Sequence, residues 1–155
     1  MPDLLADDRL PHDLRARLQE VGFTYDAVAD VLGERAHAAL GRNETVPGEL
    51  ATRGGSPLET LTRLFLLQRG VTADAAKAAL PGLADRMVDA GILVRESDGV
   101  RAVLDVRPYS SDDADSSGDL WVVSDLTPGL DGRVLPVSPD HVLGIGGAST
   151  TLATW

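Results

Sequence analysis

The sequence predicts an α+β fold, with helices first and strands last. Up to Gly91, leucine and valine recur at helical spacing; beyond it, short apolar runs alternate with turn residues. Strands and helices do not alternate, so a Rossmann-like sheet is not expected. The pattern divides the chain into an N-terminal helical segment (1–55), a winged-helix-like unit (56–106) and an acidic segment with a strand and a glycine-rich end (107–155).

Composition limits the classes of function. Hydrophobic residues make up 43% of the chain, enough for a core, and aromatic residues only 4%, so leucine, valine and alanine must fill it. The net charge of −10 disfavours nonspecific binding to nucleic acid. The absence of cysteine excludes disulfides and thiolate metal sites. We see no signal peptide and no apolar run of membrane-spanning length, and expect a cytoplasmic protein with no membrane partner.

Two helices are predicted in the N-terminal segment. Apolar residues recur three or four positions apart on one face of the first helix: Leu10, Leu14, Leu18 and Val21. Gly22 ends this helix, and Thr24 caps a second one. The inner face of the second helix is predicted to hold Tyr25, Val28, Val31 and Leu32. Gly33 breaks the pattern, and Gly41–Gly55 reads as a linker or long loop because glycine, proline and threonine are frequent there.

Three helices and a hairpin are predicted next. The first helix begins at Ser56-Pro57 and closes at Gly70. The second covers Ala73–Leu80 after a Thr72 cap, and the third covers Leu83–Ala90. A hairpin then pairs 92–96 with 100–106 around an Asp98-Gly99 turn. This order is typical of a winged helix.

The side chains of the predicted third helix are poorly suited to contact DNA bases. It offers Arg86 between Asp85 and Asp89, whereas recognition helices present polar and basic side chains to the major groove. Packing or protein contact is therefore the favoured use of the unit. A stand-alone winged-helix module, regulatory or DNA-binding, is kept as the alternative.

The final segment changes character. Arg107–Tyr109 is expected to leave the wing, and 110–119 to form a loop whose acidic residues are Asp112, Asp113, Asp115 and Asp119. That cluster lacks the terminal glutamate and the flanking helices of a calcium loop. Leu120–Leu126 is predicted to be a strand, with Trp121 in the core or at an interface, and 127–132 has turn chemistry.

Neither the glycines at the end of the chain nor the histidines form a recognisable site. Gly144–Ser149 lacks the third glycine and the following βαβ unit of a dinucleotide loop, and is expected to be a turn into a helix capped by Ser149 or Thr150. His12, His37 and His141 lack metal-site or catalytic spacing. We expect a structural turn role for His141, which follows Asp140. No metal ligand and no catalytic residue is predicted.

Two stretches carry a resemblance to a known family. Asp119-Leu-Trp-Val-Val-Ser-Asp-Leu126 and Asp140-His-Val-Leu-Gly-Ile-Gly-Gly-Ala-Ser-Thr-Thr-Leu152 resemble the region before the catalytic domain of actinobacterial class I S-adenosylmethionine-dependent methyltransferases. That family is similar to enzymes that modify ribosomal RNA or protein glutamine. The resemblance implies a catalytic domain after Trp155 that holds S-adenosylmethionine, and an RNA, protein or small-molecule methyl acceptor.

The same resemblance implies positions near the cofactor. The acidic, glycine-rich cofactor motif of the family is absent, because Gly144 stands where its acidic residue is expected. The pre-motif segment would instead pack over the cofactor pocket. Five residues of that segment are the predicted cofactor-binding positions: Gly146, Gly147, Ser149, Thr150 and Thr151. The chain alone is expected to be inactive and to bind no cofactor.

Overall fold

The computed structural model describes residues 7–110, 119–133 and 136–145. Within these residues the fold is α+β, as predicted, with six α-helices, one π-helical turn and two antiparallel sheets of two strands. The helices are α1 Leu10–Val21, α2 Tyr25–Leu40, α3 Val46–Ala51, α4 Pro57–Leu61, α5 Ala73–Ala79 and α6 Ala84–Asp89, and the π turn covers Thr62–Leu66. The strands are β1 Leu93–Glu96, β2 Gly99–Ala102, β3 Leu104–Tyr109 and β4 Leu120–Asp125.

The first helix begins and ends, and the second begins, where the sequence predicts. Gly22 closes α1 in the left-handed conformation, and the Thr24 hydroxyl accepts a hydrogen bond from Ala27 N at the start of α2. Gly33 interrupts α2 with a φ of 72° and a ψ of 162°, a region that other residues rarely adopt. The placement of Tyr25 on the inner face is wrong: its side chain is exposed and contacts the edge of His37.

The predicted linker over residues 41–55 contains a helix. Pro47 occupies the first turn of α3, where a missing N–H costs nothing. Gly48 is buried, and a Cβ there would lie 2.8 Å from a methyl group of Leu67. Its glycine therefore serves close packing, whereas composition alone reads glycine as loop-forming.

The next helix starts as predicted and ends early. Ser56 and Glu59 form a reciprocal capping box at α4. The helix widens into the π turn, and Gln68 then takes a φ of 53°, so the chain leaves helical geometry before Gly70, the predicted end. Thr72 caps α5 as predicted, its hydroxyl accepting from Ala75 N.

The hairpin forms, but its glycine acts differently from the prediction. β1 and β2 pair from Leu93↔Ala102 to Glu96↔Gly99, so Ser97 and Asp98 are the two loop residues. Gly99 is not in the left-handed region; a Cβ there would collide with Val71 O. Val71 forms a β-bridge with Val100, which brings a third segment against the hairpin. Gly99 is thus required by a close backbone approach.

The predicted second hairpin strand is two strands. The chain bends at Val103, and β3 runs on through Arg107–Tyr109 instead of leaving the wing there. β3 pairs with β4 over Leu104↔Asp125 to Tyr109↔Leu120. This pairing accounts for the correction, because β4 supplies hydrogen-bond partners that cannot be read from the local sequence.

One hydrophobic cluster joins the helices to both sheets, from Leu10 at one end of the sequence to Leu130 at the other. It contains buried residues from both sides of position 55. Phe23 and Phe65 are fully buried, with ring centroids 6.4 Å apart. No helix within the described parts of the chain has the length and apolar character needed to cross a bilayer.

Candidate functional site

The five predicted cofactor-binding residues Gly146, Gly147, Ser149, Thr150 and Thr151 lie outside the described residues, as do Asp112, Asp113, Asp115 and Trp155. The described residue nearest to them in sequence is Ile145, at the end of a segment with no helix or strand, residues 136–145. We call 136–145 the tail segment. It lies beside a cavity that the sequence analysis did not anticipate.

The cavity has a volume of about 370 Å³ and is formed by four parts of the chain. They are the end of β2 with Val103, the end of β4, the turn over residues 127–133 and the tail segment. Its apolar wall includes Val103, Leu126 and Pro128, and its charged residues are Arg101, Asp125, Asp131, Arg133, Asp140 and His141. The volume is in the range of small-ligand sites.

The turn that forms one side of the cavity is fixed to the helical core. Leu130 is buried in the core cluster. The Gln68 side chain, oriented to satisfy both partners, donates to Thr127 O (3.2 Å) and accepts from Thr127 N (2.8 Å). Arg69 donates to Asp131 O at 3.1 Å and to the carboxylate of Glu49 at 2.8 Å. The positive φ of Gln68 thus coincides with the point where the helices hold the turn.

Asp125 attaches the tail segment to the end of β4. Its Oδ2 accepts a hydrogen bond from Val142 N at 2.7 Å, and its own N–H donates to Val142 O at 3.0 Å. His141 Nδ1 lies 3.8 Å from the same Oδ2. The backbone N–H of His141 donates to Ser138 O, which closes a turn. The sequence predicts a structural turn role for His141, and the structure places its ring near Asp125 at the end of β4.

The two cavity arginines are engaged within the protein. Glu96 Oε1 accepts from Arg133 at 2.7 Å and from Arg101 Nε at 3.1 Å. These hydrogen bonds, from Arg133 first and Arg101 second, hold the pKa of Glu96 below its ordinary value. Arg133 also lies 3.7 Å from Asp131 Oδ2. The positive charge at this end of the cavity is therefore largely neutralised by neighbouring carboxylates.

The basic residue of α6 is likewise occupied. Arg86 donates to Asp7 Oδ2 and to Asp13 Oδ2, at 2.9 and 2.8 Å. Hydrogen bonds from Arg86 lower the pKa of both carboxyl groups and raise the pKa of Arg86. A guanidinium with two carboxylate partners is poorly placed to contact a phosphate or a base.

A buried carboxyl group lies on β3. Asp105 is 1% exposed, and burial raises its pKa above the ordinary value while the adjacent Arg107 opposes that rise. Arg107 Nε donates to both carboxylate oxygens at 3.0 Å. Sequence reasoning missed this residue because alternation along a strand assigns a face but does not show which face another sheet or helix covers.

The described residues contain no group of three or more histidine, aspartate or glutamate side chains placed to hold a metal ion. Acidic residues around the cavity are spread over β4, the turn and the tail segment. The cavity is thus a mixed apolar and charged site, and within the described residues it lacks the three or more convergent ligands that a metal ion needs.

Comparison with known proteins identifies a family. No curated protein and no solved structure matches the sequence significantly. Residues 20–103, which run from the end of α1 through the β1–β2 hairpin to Val103, match a family described as a domain of unknown function (DUF7059). Because this match covers more than half of the sequence, the chain belongs to the DUF7059 family.

Proposed function

We propose that this chain is the non-catalytic, substrate-recognition or lid part of a bacterial, cytoplasmic S-adenosylmethionine-dependent methyltransferase whose acceptor is an RNA, a protein or a small molecule. The resemblance of 119–126 and 140–152 to the region before such catalytic domains supports the proposal. The family match neither adds to nor subtracts from it, because the DUF7059 description assigns no function.

The observation that carries the proposal is the state of the tail segment. It is attached at Asp125, yet Val142, Leu143 and Ile145 are 44%, 77% and 48% exposed. Exposed apolar side chains close together are typical of a surface that another part of a protein covers. A catalytic domain that follows in the chain would cover them and would bring Gly146–Thr151 beside its cofactor.

The two sheets support the proposal that a separate catalytic domain binds the cofactor. A class I cofactor site needs a parallel sheet with ligands at the carboxyl ends of its strands. Both sheets in the described residues are antiparallel and have two strands each. We therefore propose that the catalytic domain binds the cofactor and that five residues contribute from this side: Gly146, Gly147, Ser149, Thr150 and Thr151.

The alternative function is a winged-helix regulator. The order of α4 with the π turn, α5, α6 and the β1–β2 hairpin, together with the Val71 bridge, favours that topology. The pairing of Arg86 with Asp7 and Asp13 disfavours DNA reading by α6. We therefore propose protein contact as the use of this unit.

Calorimetric titration with S-adenosylmethionine tests the proposal. The 155 residues alone should give no tight binding, and a protein in which the proposed catalytic domain follows Trp155 should bind. Ser149→Ala with Thr150→Ala and Thr151→Ala should weaken binding by the longer protein, whereas Ser97→Ala in the hairpin loop should not.

Tight binding by the 155 residues alone would contradict the proposal, as would a longer protein that binds no cofactor. DNA retention at low salt that survives substitutions in Gly146–Thr151 would favour the regulator instead.

A further inference from the structure

We infer that the cavity beside the tail segment binds an organic cation, an ammonium or guanidinium group on a short apolar stem. Neither the family match nor the methyltransferase proposal assigns this site, and the inference stands without that proposal. It rests on the charges that remain unneutralised around the cavity, on its apolar wall and on its volume.

The charged side chains around the cavity do not cancel one another. The guanidinium groups of Arg101 and Arg133 share Glu96, and Arg133 also faces Asp131. The carboxylates of Glu96 and Asp131 therefore offset the two positive charges. The remaining acidic residues of the lining are Asp140 and Asp125, and Asp125 Oδ2 lies 3.8 Å from Nδ1 of the lining residue His141. The site keeps a net negative charge in a chain whose total is −10, which attracts cations and repels phosphate and carboxylate ligands.

The two remaining carboxylates have free acceptor capacity. Asp125 Oδ2 accepts from Val142 N, and within the described residues no hydrogen bond reaches its Oδ1 or the carboxylate of Asp140. Asp125 is only 19% exposed, so it attracts a cation more strongly than a fully solvated carboxylate does. An ammonium group donates up to three hydrogen bonds, which suits these free oxygens.

The apolar lining of the cavity indicates that the bound cation has an aliphatic stem. Val103, Leu126, Pro128 and Pro136 line the cavity beside the carboxylates. Aliphatic stems of basic side chains pack on such surfaces while the charged end meets an acidic group. A volume of about 370 Å³ admits a stem of several carbons as well as the charged end. A bare metal ion would leave most of this space unused.

Two sources supply this chemistry: a lysine or arginine side chain of a protein partner, and a free polyamine. The probes are therefore n-butylammonium, butylguanidinium, spermidine and a capped pentapeptide with one central lysine. n-Butanol and butyrate, with the same stem and no positive charge, are the controls. Binding is followed by chemical-shift changes of the Val103, Leu126 and Thr127 amides.

We expect saturable shifts with the cationic probes, weakened by salt, and none with butanol or butyrate. Asp140→Asn, at an exposed residue, should weaken cation binding by about two- to fivefold, and Asp125→Asn further. Asp30→Asn, on the exposed face of α2, is the matched control and should leave binding unchanged. Because Asp125 also holds Val142, the conclusion rests on Asp140→Asn, whose carboxylate forms no hydrogen bond and no ion pair within the described residues.

Tighter binding of the peptide than of spermidine would identify a protein partner, and the reverse a polyamine; both support the site. Equal shifts with butanol, or cation binding unchanged by Asp140→Asn, would overturn it. An absence of saturable shifts with every cationic probe would also overturn it.

Discussion

The helical core is stabilised differently from a second region, which consists of β4, the turn over residues 127–133 and the tail segment. In the core, Leu61, Leu64 and Phe65 are fully buried. In residues 119–133 and 136–145, Leu130 is the only buried hydrophobic side chain. Pairing of β4 with β3 and individual hydrogen bonds hold most of this second region, among them the bond from Trp121 Nε1 to Phe23 O at 2.8 Å. Apolar packing resists displacement as a whole, whereas a few polar contacts can open one at a time.

The largest expected effect is the difference in the free energy of unfolding between a substitution in the core and one in the tail segment. Phe65→Ala removes a fully buried ring that packs against Phe23, and should lower the free energy of unfolding by about 3–5 kcal/mol. Leu143→Ala, at a side chain 77% exposed, should change it by less than about 0.5 kcal/mol. Urea unfolding followed by circular dichroism measures both. Similar losses for the two variants would mean that the tail segment is part of the packed core.

A smaller effect is expected for one of the hydrogen bonds that join the two regions, that of Trp121. Trp121→Phe keeps an aromatic ring but leaves Phe23 O without its indole donor, and should cost about 1–2 kcal/mol. Tyr109→Phe, on the paired strand and exposed, is the control and should cost much less. If the two substitutions have equal effects in urea unfolding, the indole hydrogen bond does not hold β4 to the core.

The buried carboxyl group makes stability depend on pH in an unusual direction. Because burial raises the pKa of Asp105 in the folded state, the fold binds a proton more readily than the unfolded chain. Raising the pH from 3.8 through the folded pKa therefore removes stability, by at most about 1.4 kcal/mol per pH unit.

Asp105→Asn removes this dependence. Relative to the wild type, the variant should gain stability as the pH rises through that window, as measured by urea unfolding at a series of pH values. A wild-type advantage that grows with pH would contradict the burial effect and assign the larger role to the Arg107 pair.

The smallest expected effect concerns the ion pairs at α6. Arg86 lowers the pKa of Asp7 and Asp13, so these pairs contribute above pH 3.8 and are lost as the pH falls through the lowered values. Arg86→Gln should reduce the loss of stability on acidification, with little change at pH 7, because solvent screens exposed pairs. Acid titration followed by circular dichroism tests this, with Arg95→Gln as the control. An acid midpoint equal to that of the wild type would show that the pairs do not act on stability.

Local signals in the sequence predicted much of the helical region. Thr24, Ser56 and Thr72 act at short range on the next few N–H groups, so each cap could be read from neighbouring residues. Gly22 likewise ends α1 through its own backbone conformation. The α+β class followed from the change of apolar spacing near Gly91.

Features that depend on long-range contacts could not be predicted from the sequence. The glycine at position 48 is fixed by Leu67, and that at position 99 by Val71, neither of which its neighbours in sequence reveal. The cavity depends on β4, the turn and the tail segment meeting beside Arg101, and so no local motif marks it. The predicted cofactor-binding positions in 146–151 rest on the resemblance alone and stay a prediction.

Native-state hydrogen exchange in low urea tests the central contrast most directly. We expect amides of 61–67 to exchange only through global unfolding, and amides of β4 and Val142 to exchange through a smaller opening with a lower free energy. Trp121→Phe should further lower the opening free energy of β4 and Val142. It should leave the ranking of exchange rates among the amides of 61–67 unchanged. A single free energy and a single urea dependence for both regions would contradict the account.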